Sequence, residues 1–178
     1  LDDCHWVWAG GSTAGNQPAG QVHFRKIIQL PADRKIKQAT FLLTADDSFT
    51  LFVNGHPSGQ GTSWKNLVSI DVTGRLQSGE NALGVLAVNA GENASPAGLM
   101  GKLVILFSSG ESQVLAIDGS WQSSRAAGER WSWPDFDASS WASASAIAPF
   151  GSQPWGKLAL NIDRIEPAPY FRKSFSVS

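Results

Sequence analysis

The sequence predicts an all-β protein, an antiparallel β-sandwich. Three observations carry that expectation. Apolar residues alternate with polar ones in several runs of strand length. An Asn54-Gly55 pair sits between two such runs, and both residues tolerate the positive φ of a tight hairpin turn. No stretch sustains helical periodicity, and turn residues recur at the spacing usual for a sandwich.

The elements follow in chain order. Trp6 and Trp8 fall on one face of an N-terminal strand and are expected to be buried. Val22 to Leu30 alternates, and Pro31 ends it. Phe41 to Thr44 is a short buried run. Phe49, Leu51 and Val53 share one face of the next strand, with Ser48, Thr50 and Phe52 on the other. Leu67 to Val72, Ala82 to Asn89, Leu99 to Phe107 and Val114 to Ile117 complete a set of about eight strands. Single helical turns are expected near Arg75 and Ala138. From Asp118 to Gly156 the pattern weakens, yet the segment holds Trp121, Trp131, Trp133, Trp141 and Trp155. A disordered linker would not carry so many large apolar groups, so this segment is expected to pack on the sandwich. Within it, Trp131 and Trp133 have no evident place.

The chain has 178 residues and a net charge of -1, too weak a field to attract nucleic acid or an anionic membrane. No apolar run approaches the roughly 20 residues of a membrane helix. The single cysteine, Cys4, leaves no internal disulfide and no multi-cysteine metal site. His5, His23 and His56 are scattered without zinc-site spacing. A phosphate-binding loop and a G-x-S-x-G nucleophile elbow are both missing from the sequence. The skewed number is tryptophan, eight against one tyrosine. Tryptophan serves cores, and it also stacks on the C–H faces of sugars. The chain opens on Leu1 rather than Met and is expected to be a trimmed or mature piece.

His23-Phe24-Arg25-Lys26 is echoed by Tyr170-Phe171-Arg172-Lys173 after two prolines. The expected division is therefore a sandwich domain over residues 1–162. Residues 163–178 form a linker and strand that begins a following domain or pairs back into this one.

Several phrases resemble a known family in order and spacing. They are Phe24-Arg25-Lys26, Thr44-Ala45-Asp46-Asp47-Ser48-Phe49, Leu51-Phe52-Val53-Asn54-Gly55, Asp71-Val72-Thr73, Gly79-Glu80-Asn81, Ala97-Gly98-Leu99, Asp118-Gly119-Ser120-Trp121 and Pro134-Asp135-Phe136-Asp137. Together they resemble the galactose-binding-like sandwich domains of bacterial glycoside hydrolases, nearest to the non-catalytic domains of α-L-rhamnosidase-type enzymes. Trp121 and Trp141 fall in phrases that resemble core positions of that family, and the resemblance implies that both are structural. The resemblance implies a jelly-roll sandwich that binds a sugar or braces a catalytic domain. It implies a non-enzymatic module of a larger secreted or periplasmic bacterial enzyme. Its partners would be a plant or algal polysaccharide or oligosaccharide and the catalytic domain of the same chain. It is expected to be a monomer.

The candidate site starts from Asp46 and Asp47. Adjacent carboxylates at a strand entrance are common turn chemistry, because Asp bonds nearby backbone N–H groups. They also repel, and a hard divalent cation between them removes that cost. The resemblance implies calcium beside the sugar, held at this position by adjacent acidic and amide residues. Here the second of the two is Asp47. Asn89 is expected to complete the calcium set. The pair is not a glycosidase dyad, because adjacent strand residues point to opposite faces. Trp64, among Gly, Ser and Lys, is a lid over the sandwich end or a sugar platform. The resemblance favours the platform, with Asn66 beside it. Trp155 is a second wall or packing for the irregular segment. Asn89, Glu92 and Asn93 lie in a polar loop and are expected to bond sugar hydroxyls. The plain alternative is a solvated turn.

Overall fold

A computed structural model describes residues 1–158 of the chain. The expected boundary at 162/163 and the strand at Tyr170 to Lys173 lie outside the described residues.

Fourteen strands form: β1 His5–Trp8, β2 Asn16–Gln17, β3 Gly20–Leu30, β4 Ile36–Asp46, β5 Ser48–Val53, β6 His56–Gly61, β7 Val68–Asp71, β8 Gly79–Asn89, β9 Ser95–Pro96, β10 Gly98–Phe107, β11 Ser112–Ala116, β12 Gln122–Ser124, β13 Ala142–Ser143 and β14 Ser145–Pro149. One six-stranded sheet runs β14-β1-β10-β4-β7, with β11 also paired to β10. A second runs β13-β12-β3-β8-β5-β6, and β2 and β9 make a separate ribbon. All pairings described are antiparallel.

The alternation read from the sequence places the core. Ala39, Phe41, Leu43 and Ala45 of β4 meet Leu99, Leu103, Ile105 and Phe107 of β10 on the inner face of the first sheet. Val22, Phe24, Leu83, Val85, Ala87, Phe49, Leu51 and Val53 form the inner face of the second. Trp6 and Trp8 are both fully buried, as expected, but serve different partners. Trp8 meets Phe24 at 5.9 Å, whereas Trp6 stacks on Trp155 at 4.3 Å. A register shift between Trp6 and Val7 lies between them. Asn54 and Gly55 form the expected turn, with φ of 51° and 79°. The helical turn near Arg75 is a 3₁₀ turn, Thr73–Arg75. That near Ala138 is a single turn closed by Trp141 N–H donating to Ala138 O (2.9 Å).

The irregular segment is a belt across the outer face of the second sheet. Its anchor is Arg25, which alternates with Phe24 and so points outward, yet is only 2% exposed. Its Nε donates to Trp131 O (3.0 Å), and its Nη2 donates to Trp133 O (2.7 Å) and Pro134 O (3.1 Å). Three carbonyls of a loop with no sheet partner are thereby satisfied. Trp131 lies over Gly84, directly opposite Arg25 in the ladder, where a Cβ would stand 2.8 Å from its ring. Trp133 lies against Gly55. His23, one outward step from Arg25, packs edge-on to Trp131 at 4.9 Å. These contacts give Trp131 and Trp133 their place. Trp121 is buried with its Nε1 donating to Ala116 O (3.1 Å), and Trp141 is half-buried against Trp131 and Phe136, so both are structural as expected.

Two predictions follow from the belt. Arg25→Ala orphans three carbonyls and is expected to cost about 3 kcal/mol in urea unfolding; Arg25→Lys recovers part of this. His23 is held neutral by burial, which pulls its pKa below the usual 6.5, partly opposed by a backbone hydrogen bond at Ser124. Its contribution is therefore full above about pH 6.5 and is lost as the pH falls below it toward the depressed folded value. The melting temperature is expected to drop between pH 7 and pH 5, and less so in a His23→Phe variant.

Candidate functional site

The chain changes sheets at Asp47. Asp46 closes β4 and pairs with Gly98 of the first sheet. Asp47 N–H donates to Val88 O (2.7 Å), and Ser48 pairs with Val88 in the second sheet. The peptide joining Asp46 to Asp47 is cis. Strand bends of this kind build the corners of sandwiches.

Three loops meet at this corner. Thr44 and Asp46 alternate with Leu43 and Ala45, so they leave the core face. Thr44 Oγ1 donates to Trp64 O (3.0 Å) and holds the loop 62–66. Ala90 N–H donates to Asp47 Oδ2 (2.7 Å) and fixes the start of the loop 90–94. Trp155 Nε1 donates to Asp46 Oδ2 (2.8 Å) and brings in the segment 151–156. Each carboxylate is thus oriented through one oxygen by a different loop, and those bonds leave its Oδ1 free.

Asp46 is 8% exposed. Burial raises its pKa; the Trp155 bond acts against this, and the Asp47 carboxylate adds to it. A buried carboxylate beside a second carboxylate is a place where a cation or a hydrogen-bond donor is favoured.

The predicted residues separate into two groups. Trp64 is half-buried against the core, with the Lys65 ammonium 5.6 Å from its ring centroid. Asn66, Glu92 and Asn93 are exposed on the two loops at the corner. Asn89 and Trp155 are corrections. Asn89 is 1% exposed; its amide donates to Gln17 O (2.9 Å) and Pro18 O (3.2 Å) and its oxygen accepts from Ser95 Oγ (2.7 Å). It ties the base of the loop to β2 and does not face solvent. Trp155 is 5% exposed and sandwiched against Trp6, so it offers no face to a sugar. The inward turn of Asn89 was not readable from the sequence, because a loop's composition does not tell which side chains face in; for Trp155, packing was one of the two expected roles. The signal for Trp155 was its Pro and Gly neighbours, which mark a fixed turn. Gly98 was missed as a site residue: a Cβ there would stand 2.7 Å from Trp6 and 3.2 Å from Trp155, so only glycine lets the tryptophan pair lie beside Asp46.

For a cation, the donor set is two carboxylates. Among the described residues, no group of three or more His, Cys, Asp or Glu side chains converges. Asp46 and Asp47 fit a hard cation only if carbonyls and water complete six to eight oxygens. Away from the corner, a concavity of about 180 Å³ opens between β3, β8 and β11, beside Lys26, Leu115 and Asp118. It is smaller than the roughly 300–1,000 Å³ of ordinary ligand pockets. Among the described residues, no helix is long and apolar enough to cross a membrane.

Comparison with known proteins agrees with the jelly-roll expectation. No protein-family model matches the chain. The chain is homologous to one region of an α-L-rhamnosidase from Streptomyces avermitilis: it is 34% identical over 167 residues, 89% of this chain and 16% of that protein. The crystal structure of that enzyme complexed with L-rhamnose superposes on 88% of this chain with a TM-score of 0.79. A lectin from Pleurotus ostreatus in complex with GalNAc is 30% identical, with a TM-score of 0.80, over 89% of this chain and 47% of the lectin. A rhamnosidase from Bacillus sp. GL1 is 26% identical with a TM-score of 0.71, and the chain covers 20% of it. The chain therefore corresponds to a small part of each rhamnosidase, and its fold is shared with a lectin.

The inward role of Asn89 has a direct test. Asn89→Ala is expected to cost about 2–3 kcal/mol in urea unfolding, because buried carbonyls lose their donor. A residue serving only a ligand would leave the midpoint unchanged.

Proposed function

We propose that this chain is a non-catalytic carbohydrate-binding domain of a larger, secreted polysaccharide-degrading enzyme. The observation that carries the reading is the meeting of three loops at the Asp46–Asp47 corner. The loops anchored at Thr44 and Asp47 carry a half-buried indole, Trp64, and exposed amide and carboxylate side chains, Asn66, Glu92 and Asn93, which are proposed to face one ligand. Sugars are recognised by that combination: an apolar plate for the C–H face and directional polar groups for the hydroxyls. The homologous rhamnosidase and the lectin of the same fold support a glycan ligand; a plant or algal origin is part of the proposal.

Asp46 and Asp47 are the residues proposed to hold calcium. Bound there, it would neutralise the pair and offer coordination to sugar hydroxyls. The exposed Lys65 ammonium over Trp64 is the group that a stacked sugar displaces.

The alternative is a domain that only braces a catalytic partner. That role calls for an extended apolar face. Among the described residues, Val114, at 56%, is the large apolar side chain that stands exposed.

The test is binding to a panel of plant and algal polysaccharides, with L-rhamnose and N-acetylgalactosamine as small probes. Trp64→Ala is expected to weaken binding at least about tenfold, about 1.4 kcal/mol, while the protein stays folded. Affinity is expected to change little with salt, since stacking and hydrogen bonds carry it. A chelator is expected to abolish binding and added calcium to restore it. Binding untouched by chelation removes calcium from the account, and wild-type affinity in Trp64→Ala removes this pocket.

A further inference from the structure

The segment 151–156 reaches the corner from β14. Phe150 N–H donates to Cys4 O (3.0 Å), tying the approach to the N-terminal end of the fold. Ser152 N–H donates to Pro149 O (3.2 Å) and Gly156 N–H to Ser152 O (2.8 Å), so the segment is a closed turn. Gly151 and Gly156 hold positive φ at its two ends, 86° and 63°. From this turn Trp155 enters the protein. Its ring lies on Trp6 at an interplanar angle of 22°, and both rings lie on Gly98, the residue paired with Asp46. Its N–H then meets Asp46 Oδ2 at 2.8 Å, across 109 residues of sequence.

This arrangement does more than fill space. A phenylalanine would fill most of the same slot. The indole adds one donor, aimed at one oxygen of a carboxylate that is nearly out of water. The stack on Trp6 fixes the donor, so the bond fixes the carboxylate plane and leaves Oδ1 for other partners. The neighbouring Asp47 has its own loop partner, Ala90 N–H. Removing Trp155 therefore takes away the loop donor of Asp46 and leaves that of Asp47 in place.

We propose that Trp155 is the positioning residue of the Asp46 carboxylate, so that docking of segment 151–156 and ligand binding at the corner are coupled. The clamp between Trp155 and Asp46 stands on geometry alone. The ligand rests on the carbohydrate-binding reading above. Coupling of this kind is reciprocal: a ligand that favours the oriented carboxylate also favours the docked segment, by the same factor.

The experiment has two arms, which separate the clamp from the ligand. In the ligand-free protein, hydrogen exchange is followed at the Ser152 and Gly156 amides. In Asp46→Leu, which cannot accept the bond, both are expected to exchange about tenfold faster. In Asp46→Asn, whose amide oxygen still accepts, they keep the wild-type rate. Trp155→Phe, which keeps a ring against Trp6 but donates nothing, behaves like Asp46→Leu and decides the question if that variant does not fold. The Leu103 amide, in the middle of β10, is unchanged in all three. Wild-type exchange at Ser152 and Gly156 in Trp155→Phe overturns the clamp.

The second arm titrates L-rhamnose into wild type and Trp155→Phe. Binding about tenfold weaker in the variant, with slowed Gly156 exchange in the liganded wild type, is the expected result. Equal affinity overturns the positioning role. A wild type that binds neither L-rhamnose nor any panel glycan overturns the carbohydrate reading and the ligand half of the coupling; the exchange arm still decides the clamp.

Discussion

The chain passes from one sheet to the other at a single residue, Asp47, and the rest of the site depends on that passage. Asp46 still belongs to the ladder with Gly98, and Ser48 already belongs to the ladder with Val88. The two consecutive carboxylates lie close enough for Asp47 to act on Asp46, yet each has its own loop partner. Asp46 accepts from Trp155 and Asp47 accepts from Ala90, so each captures a different loop. The adjacent like charges thus have a structural use before any ligand is considered. They orient the ends of two loops that sequence alone keeps far apart. Burial first, and then the neighbouring Asp47 carboxylate, raise the pKa of Asp46, and that cost is what a cation or a polar ligand at the corner would lower.

Stability and recognition sit on different parts of the sandwich. Arg25 and His23 lie on the outer face of the second sheet, under the belt that carries Trp131, Trp133 and Trp141. The corner lies where β4 gives way to β5. The tryptophans divide accordingly. Trp6, Trp8, Trp121 and Trp155 are buried, Trp131, Trp133 and Trp141 pin the belt, and Trp64 stands at the loop cluster. A high tryptophan count therefore reflects the thickness of this fold more than the extent of a binding surface. The fold is shared with rhamnosidase domains and with a lectin, and a shared fold does not by itself carry a ligand; the corner is where one is proposed.

Much of the fold was legible because strand alternation directly reports which face is buried. Phe49, Leu51 and Val53 face the core as the pattern requires, and Asn54-Gly55 turns as its residue types require. The strand β6, His56–Gly61, was not legible, because its sequence HPSGQG has no apolar alternation and its pairing comes from β5 alone. The short strands β12 to β14 were hidden for the same reason. At the site, the like-charged pair was visible as an anomaly. The partners were not, because Trp155, Ala90 and Gly98 come to it through tertiary contacts without local periodicity. Asn89 looked like a recognition residue by composition. It is a tie, because a buried amide with several backbone partners is a common way to anchor a loop.

The central claim is that ligand is taken at the corner. The most direct measurement is amide chemical-shift mapping of the isotope-labelled protein during titration with L-rhamnose, in the presence of calcium. The account predicts shifts clustered at Asp47, Ala90, the loop 62–66 and the segment 151–156, with the belt and the β3–β11 concavity unmoved. Shifts centred on Arg130 and Trp133 of the belt, or around Lys26 and Asp118, would contradict it.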